Sequence, residues 1–142
     1  GTTLAADMRN LLREILELVT GIRDRVPLAV ERHRERLVER VSGLIAERGA
    51  TLTDADIARE VVLLADRSDI AEELVRLESH IAQFGRLLES ESPGRQLDFL
   101  SQELAREANT VASKSGDVEI AHAVVEIKTR VERLREQVQN LE

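Results

Sequence analysis

Apolar residues recur along most of this chain in steps of three and four, the spacing of a single helical face. Leu4, Met8, Leu11, Ile15, Leu18 and Ile22 step alternately four and three, after a Thr2-Thr3 pair suited to capping a helix. Pro27 interrupts the pattern, which resumes through Leu37, Val41, Leu44 and Ile45 and stops at Gly49. Proline either opens a helix in its first turn or kinks one, and two helices in a nearly continuous rod are predicted for residues 1–50. Thr51 to Asp56 reads as a turn with several cap candidates, and Ile57, Val61 and Leu64 give a short helix one face, ending near Asp66.

Ser68 or Asp69 caps the next predicted helix, whose Ile70, Leu74, Leu77, Ile81, Phe84 and Leu88 form a heptad seam. Ser90 to Gly94, containing Pro93, is the plainest loop and a candidate hinge. From Gly94 a further helix carries a narrow stripe of Leu97, Leu100, Leu104, Ala108 and Val111. A break at Ser113 to Asp117 precedes the last helix, which keeps an unbroken heptad rhythm through Ile120, Val124, Ile127, Val131, Leu134, Val138 and Leu141. The predicted fold class is therefore all-α: an elongated antiparallel helical bundle with coiled-coil hairpins, in one domain over residues 1–142. An aliphatic seam closes equally well within one chain or between copies, so a homo-oligomer with swapped helices stays open.

Composition narrows this picture. With 142 residues, 42% of them hydrophobic, the chain can bury one core, and 1% aromatic content makes that core aliphatic. Without cysteine there is neither a disulfide nor a thiolate metal site, and the cytoplasm is the natural compartment. No apolar run approaches the ~20 residues of a membrane span and no signal-peptide pattern opens the chain, so a soluble protein without a membrane partner is expected. The first residue, Gly1 rather than Met, reads as that of a fragment or a processed product.

A net charge of -7 argues against binding nucleic acid over the whole surface, which needs phosphates neutralised by Lys and Arg. With only Phe84 and Phe99, stacking of bases on an aromatic platform is nearly excluded, so any RNA contact is local and reads backbone and shape. The basic stretch Arg32 to Arg36, with Arg40, Arg23 and Arg25 nearby, is interleaved with Glu31, Glu35 and Glu39 and reads first as a solvated ion-pair face. No partner is evident for His33 or His122. Phosphate loops, nucleophile elbows and zinc-spaced histidine pairs are all missing, so any catalysis relies on carboxylates, Arg and a His.

Such groups concentrate on the Gly94 helix, where two polar stripes flank the apolar one: Asp98, Gln102, Arg106, Asn109 and Ser113, and Glu103, Glu107, Thr110 and Lys114. Asn, Thr, Ser and Gln are poor choices for a solvated helix face, which suggests hydrogen bonds made elsewhere. Glu103 and Glu107, with Asp98, can offer oxygens to a hard divalent cation, while Arg95, Arg106 and Lys114 meet phosphate. The plainer alternative is helix ion pairs and a polar subunit interface, the commoner fate of such carboxylates. Glu73, Arg76 and His80 form a second polar face; Glu73 and Arg76 suit an ion pair, and His80 is either a proton acceptor or an ordinary structural histidine.

Three segments carry a family resemblance: Ala65 to His80 (ADRSDIAEELVRLESH), Gly94 to Thr110 (GRQLDFLSQELAREANT) and the ending Arg135 to Glu142 (REQVQNLE). They resemble the C-terminal half of YicC-family endoribonucleases, most strongly from Ile57 onward. That resemblance implies a bacterial, cytoplasmic endoribonuclease acting on single-stranded RNA, dependent on a divalent metal such as Mn or Mg and assembled as a ring-like hexamer. It also selects Asp66, Asp69, Glu73, Arg76, His80, Asp98, Glu103, Arg106, Glu107, Asn109, Thr110 and Lys114, which fall on the polar faces described above. With the polar faces and the resemblance taken together, the expected roles are catalysis by His80, Glu103 and Glu107, metal binding by Asp98, Glu103 and Glu107, and RNA binding by Arg76, Arg95, Arg106 and Lys114. Family chains are about twice as long, and Gln96 and Ala105 stand where the family usually has Lys and Asn. An assembly and clamp module, with its heptads pairing between subunits and its chemistry in another half, is the competing expectation.

Overall fold

The computed structural model describes residues 2–48 and 53–141, and among them finds five helices and no strand. They are α1 (Thr2–Arg48), α2 (Asp54–Arg67), α3 (Ala71–Leu87), α4 (Gly94–Ser115) and α5 (Val118–Leu141). The all-α expectation holds. None of these helices is long and apolar enough to cross a membrane.

Where two helices were expected around Pro27, there is one helix of 47 residues, about 70 Å long at 1.5 Å per residue. An interior proline costs roughly 3 kcal/mol through its missing N–H and its clash with the preceding turn. Contacts on both sides of Pro27 hold the helix on course. Arg25 donates to the Asp117 carboxylate at 3.1 and 3.2 Å, and His33 Nε2 lies 2.7 Å from the Ser115 carbonyl oxygen. Ala29, between them, is buried in the core. Thr2 and Thr3 already lie within the helix rather than ahead of it, and the expected stop at Gly49 and the Thr51–Leu52 part of the turn fall outside the described residues.

The first half of α1 joins α3, α4 and α5 in a four-helix bundle, each helix packing on two neighbours. Cross-pairs fix the directions: Arg9 with Glu89 and Arg23 with Glu78 between α1 and α3, Arg76 with Glu107 between α3 and α4, Asp98 with Arg135 between α4 and α5, and Glu14 with Arg130 between α5 and α1. Every adjacent pair is antiparallel. The seams read from the sequence are the core: Ile70, Leu74, Leu77, Ile81 and Phe84 of α3, the five-residue stripe of α4, and Ile120 through Val138 of α5 are all buried. In α1 the stripe is wider than expected, because Leu12 and Val19 are buried beside Met8, Leu11, Ile15 and Ile22. Within this chain the heptads of α3 and α5 close on the other bundle helices, and their apolar faces are covered there.

Beyond His33, which still reaches Ser115 of α4, α1 runs on past the bundle and pairs with α2 to form a two-helix arm. Thr53 caps α2 in a reciprocal box: Asp56 N–H donates to Thr53 Oγ1 at 3.1 Å, and Thr53 N–H donates to the Asp56 carboxylate at 3.2 Å. Ser68 closes α2 instead of opening α3, its hydroxyl donating to the Leu64 carbonyl at 2.8 Å. Asp69 takes the opening role, accepting from Ala71 N–H at 2.9 Å.

The α4–α5 turn is the tightest joint. Gly116 ends α4 with φ of 65°, a left-handed conformation that favours glycine, and an added Cβ would stand 2.7 Å from His33 Nε2. Asp117 then caps α5, accepting from Ile120 N–H at 3.0 Å. Burial acts to raise the Asp117 carboxyl, but the hydrogen bond from Arg25 and that from Ile120 outweigh it and hold it below its ordinary value.

Candidate functional site

Polar residues at three- and four-residue spacing on two antiparallel helices meet as rungs of a ladder. Along α3 these are Glu73, Arg76 and His80; along α4, in reverse order, Lys114, Glu107 and Glu103. On the first rung Lys114 Nζ donates to Glu73 at 2.8 Å, with Arg76 also 3.6 Å from that carboxylate. On the second, Arg76 Nε donates to Glu107 Oε1 at 2.9 Å. The third rung sets His80 beside Glu103 and Glu107, with one donor atom from each of the three within 4.8 Å of the others.

Burial separates the roles of these carboxylates. The Glu73 side chain is 3% exposed; burial, the largest single influence, pushes its carboxyl upward, yet the hydrogen bond from Lys114, a backbone hydrogen bond and the charges of Lys114 and Arg76 together bring the net displacement downward. Lys114 is raised in return, chiefly by that same hydrogen bond, and the Arg76 guanidinium is raised by its bond to Glu107. Glu73 and Lys114 are therefore an anchoring ion pair between helices. Glu107 is also nearly buried, whereas Glu103 and His80 are half-buried.

His80 Nδ1 is buried and has no hydrogen-bond partner. One ring nitrogen of His80 beside two carboxylates is a donor set that could hold a divalent cation, since borderline and hard dications accept mixed nitrogen and oxygen donors. The donor group therefore differs from the set read off the sequence: His80 joins Glu103 and Glu107, and Asp98 does not. Asp98 lies about one and a half turns before Glu103 along α4, where it accepts from Gln102 at 2.9 Å and sits 3.8 Å from Arg135 of α5.

The remaining candidates are placed unevenly. Arg106 is 76% exposed and 3.7 Å from Glu103, at the rim of the group. Arg95 is exposed at the start of α4, about 16 Å from Arg106 along the helix. Lys114, expected on RNA, is instead committed to Glu73. Thr110 and Ser113 satisfy their hydroxyls locally, donating to the Arg106 and Thr110 carbonyls. In the basic stretch of α1, Arg34 pairs with Glu31 at 2.7 Å, in keeping with an ion-pair face.

His33, which had no evident partner, has one in Ser115; the two lie 82 residues apart, and no local pattern could have joined them. Asp117 was equally unremarked, although an Asp directly ahead of a heptad run carries a recognisable cap signature. His122 is exposed. On another side of the bundle, a groove of about 660 Å³ between α1 and α5 is lined by Glu14, Arg25, Glu119 and Arg130 among others, and none of the rung residues reaches it.

Fold and site together define an all-helical protein that carries an imidazole-carboxylate group suited to a divalent cation. The sequence matches the family described as "Endoribonuclease YicC-like, C-terminal" over residues 22–142, and the chain belongs to that family. It is 40% identical over 146 aligned residues to a protein of Clostridioides difficile (strain 630) named "Probable endoribonuclease YicC", covering 100% of this chain and 48% of that protein. A protein of the same name from Haemophilus influenzae is 41% identical over 122 residues, covering 85% of this chain and 41% of its own length. The chain thus spans about half the length of the curated relatives it matches.

Proposed function

We propose that this chain is the metal-holding part of an endoribonuclease that cleaves single-stranded RNA. The observation that carries the reading is the convergence of His80, Glu103 and Glu107, with the His80 ring nitrogen left without a partner. The relatives' printed name, "Probable endoribonuclease YicC", supplies the reaction class. His80, Glu103 and Glu107 would hold the cation, and an imidazole among the donors suits Mn better than Mg. When bound, such a cation activates water and neutralises charge building on the phosphate. His80 is on this reading a ligand rather than a proton acceptor. Arg106 and Arg95 offer exposed guanidinium forks along one helix to successive phosphates of a strand, and Lys114 fixes α4 against α3 through Glu73. The cytoplasm is the compartment this reading implies.

The test is cleavage of a labelled single-stranded RNA with manganese, with magnesium and with chelator, beside Glu107→Gln. Metal-dependent cleavage that disappears in the variant, with its helical signal and melting intact, is the expected result. Cleavage retained by Glu107→Gln would sink the assignment.

A second reading, a helical assembly and clamp module of a homo-oligomer such as a hexamer, has its own support. Val62, Leu63 and Leu44 leave apolar surface open on the arm, and Val75 and Phe99 do so on the bundle. RNA binding and an oligomeric mass in solution, without cleavage under any metal, would favour it.

A further inference from the structure

We propose that Arg76 is the resident counter-ion of Glu107 and gives way to the divalent cation, so that its guanidinium passes to an RNA phosphate only in the loaded protein. This rests on the metal-centre reading above. Arg76 Nε donates to Glu107 Oε1 at 2.9 Å, and Glu107 has no other hydrogen-bond partner among the described residues. The carboxylate that belongs to the donor group is therefore already neutralised by a side chain.

Three features make the exchange cheap. Arg76 is 45% exposed, so its head can swing toward water without opening the core. Two other carboxylates stand within its reach, Glu72 at 3.5 Å and Glu73 at 3.6 Å. Glu73, the buried one, keeps Lys114 when Arg76 moves. Against these, a guanidinium left on Glu107 would face a dication across a single, nearly buried carboxylate, where like charges repel strongly. Arg76 thereby neutralises Glu107 until an ion takes its place, and is then available for phosphate.

A static alternative has the opposite sign. Were Arg76 a fixed outer support orienting Glu107, its removal would weaken metal binding. Under exchange, its removal strengthens binding, because the ion no longer competes with a resident cation.

The experiment is calorimetric titration of Mn into the wild type, Arg76→Gln and Glu107→Gln, together with the Arg76 Nε–H resonance followed during Mg titration. Exchange predicts about tenfold tighter Mn binding in Arg76→Gln, abolished binding in Glu107→Gln, and loss of solvent protection at Arg76 Nε–H as Mg saturates. It also predicts that Mg strengthens binding of an uncleavable 2′-O-methyl single-stranded RNA more in the wild type than in Arg76→Gln. Should Arg76→Gln fail to fold, Arg76→Lys, which keeps a cation for Glu73, is expected to bind Mn tighter than the wild type. Glu107-dependent Mn binding that is unchanged or weaker without Arg76 overturns the exchange and leaves the metal centre standing. Mn binding indifferent to Glu107→Gln, or no binding at all, overturns the metal centre and the exchange with it.

Discussion

The bundle and the arm share one helix, yet they are held together by different means. In the bundle, α1, α3, α4 and α5 bury a continuous aliphatic core, in which Met8, Ile15, Leu77, Phe84, Leu104 and Leu134 have no exposed surface. In the arm α2 has no buried residue, and Ile57, Val61 and Leu64 are only half-covered by the outer part of α1. Two helices can shield one stripe each, but a dry interior needs a third or fourth face. Stability therefore concentrates in the bundle, where the rung residues stand, and the arm depends on caps and local ion pairs.

Perturbations of graded size sharpen that contrast. Phe84→Ala, in the middle of the bundle, is expected to cost about 3–5 kcal/mol in urea unfolding, whereas Ile57→Ala in the arm should leave the main transition nearly where it was. Next comes Gly116→Ala, which must hold a left-handed backbone and displace the His33 ring; a loss of about 1–3 kcal/mol is expected. A shift no larger than that of an ordinary surface substitution would show the α4–α5 joint to be softer than its geometry. Thr53→Ala removes the cap of α2 and should cost about 1 kcal/mol. Hydrogen exchange should report it as faster opening of α2 with the bundle amides unchanged.

The smallest effect concerns acid. Glu73 and Asp117 have carboxyls held below their ordinary values, so the stability they contribute is complete above the unfolded carboxyl range of about 4 and is lost as pH falls through the lowered folded values. Melting temperatures of the bundle should fall below about pH 4, and Glu73→Gln should flatten part of that fall while leaving the arm's exchange rates alone.

How much of this was legible in the sequence follows the same division. The seams of α3, α4 and α5 appeared residue by residue, because burial on one face of a helix leaves a period that nothing else imitates. The stripe of Glu103, Glu107 and Lys114 was visible for the same reason, and so was the opposing Glu73, Arg76 and His80. What a period cannot show is which stripe faces which. His80 therefore went unrecognised as the third member of the donor group and Asp98 stood in its place, while Lys114 was read as free when a buried Glu73 holds it. Pro27 was read as a boundary since its local cost is real; the contacts of Arg25 and His33 that offset it lie 92 and 82 residues away in the chain.

Because α1 passes from the bundle into the arm without a break, the arm is a lever and the stretch around Pro27 its fulcrum. From Pro27 to Arg48 the rod reaches about 30 Å, so a change of ~10° in tilt at the proline carries the far end ~5 Å. That stretch is held by Ser115, at the end of the helix that presents Glu103 and Glu107, and by Asp117 in the turn that follows it. A tilt of that size, small beside the length of α4, would be geared up at the tip to about the height of one helical turn.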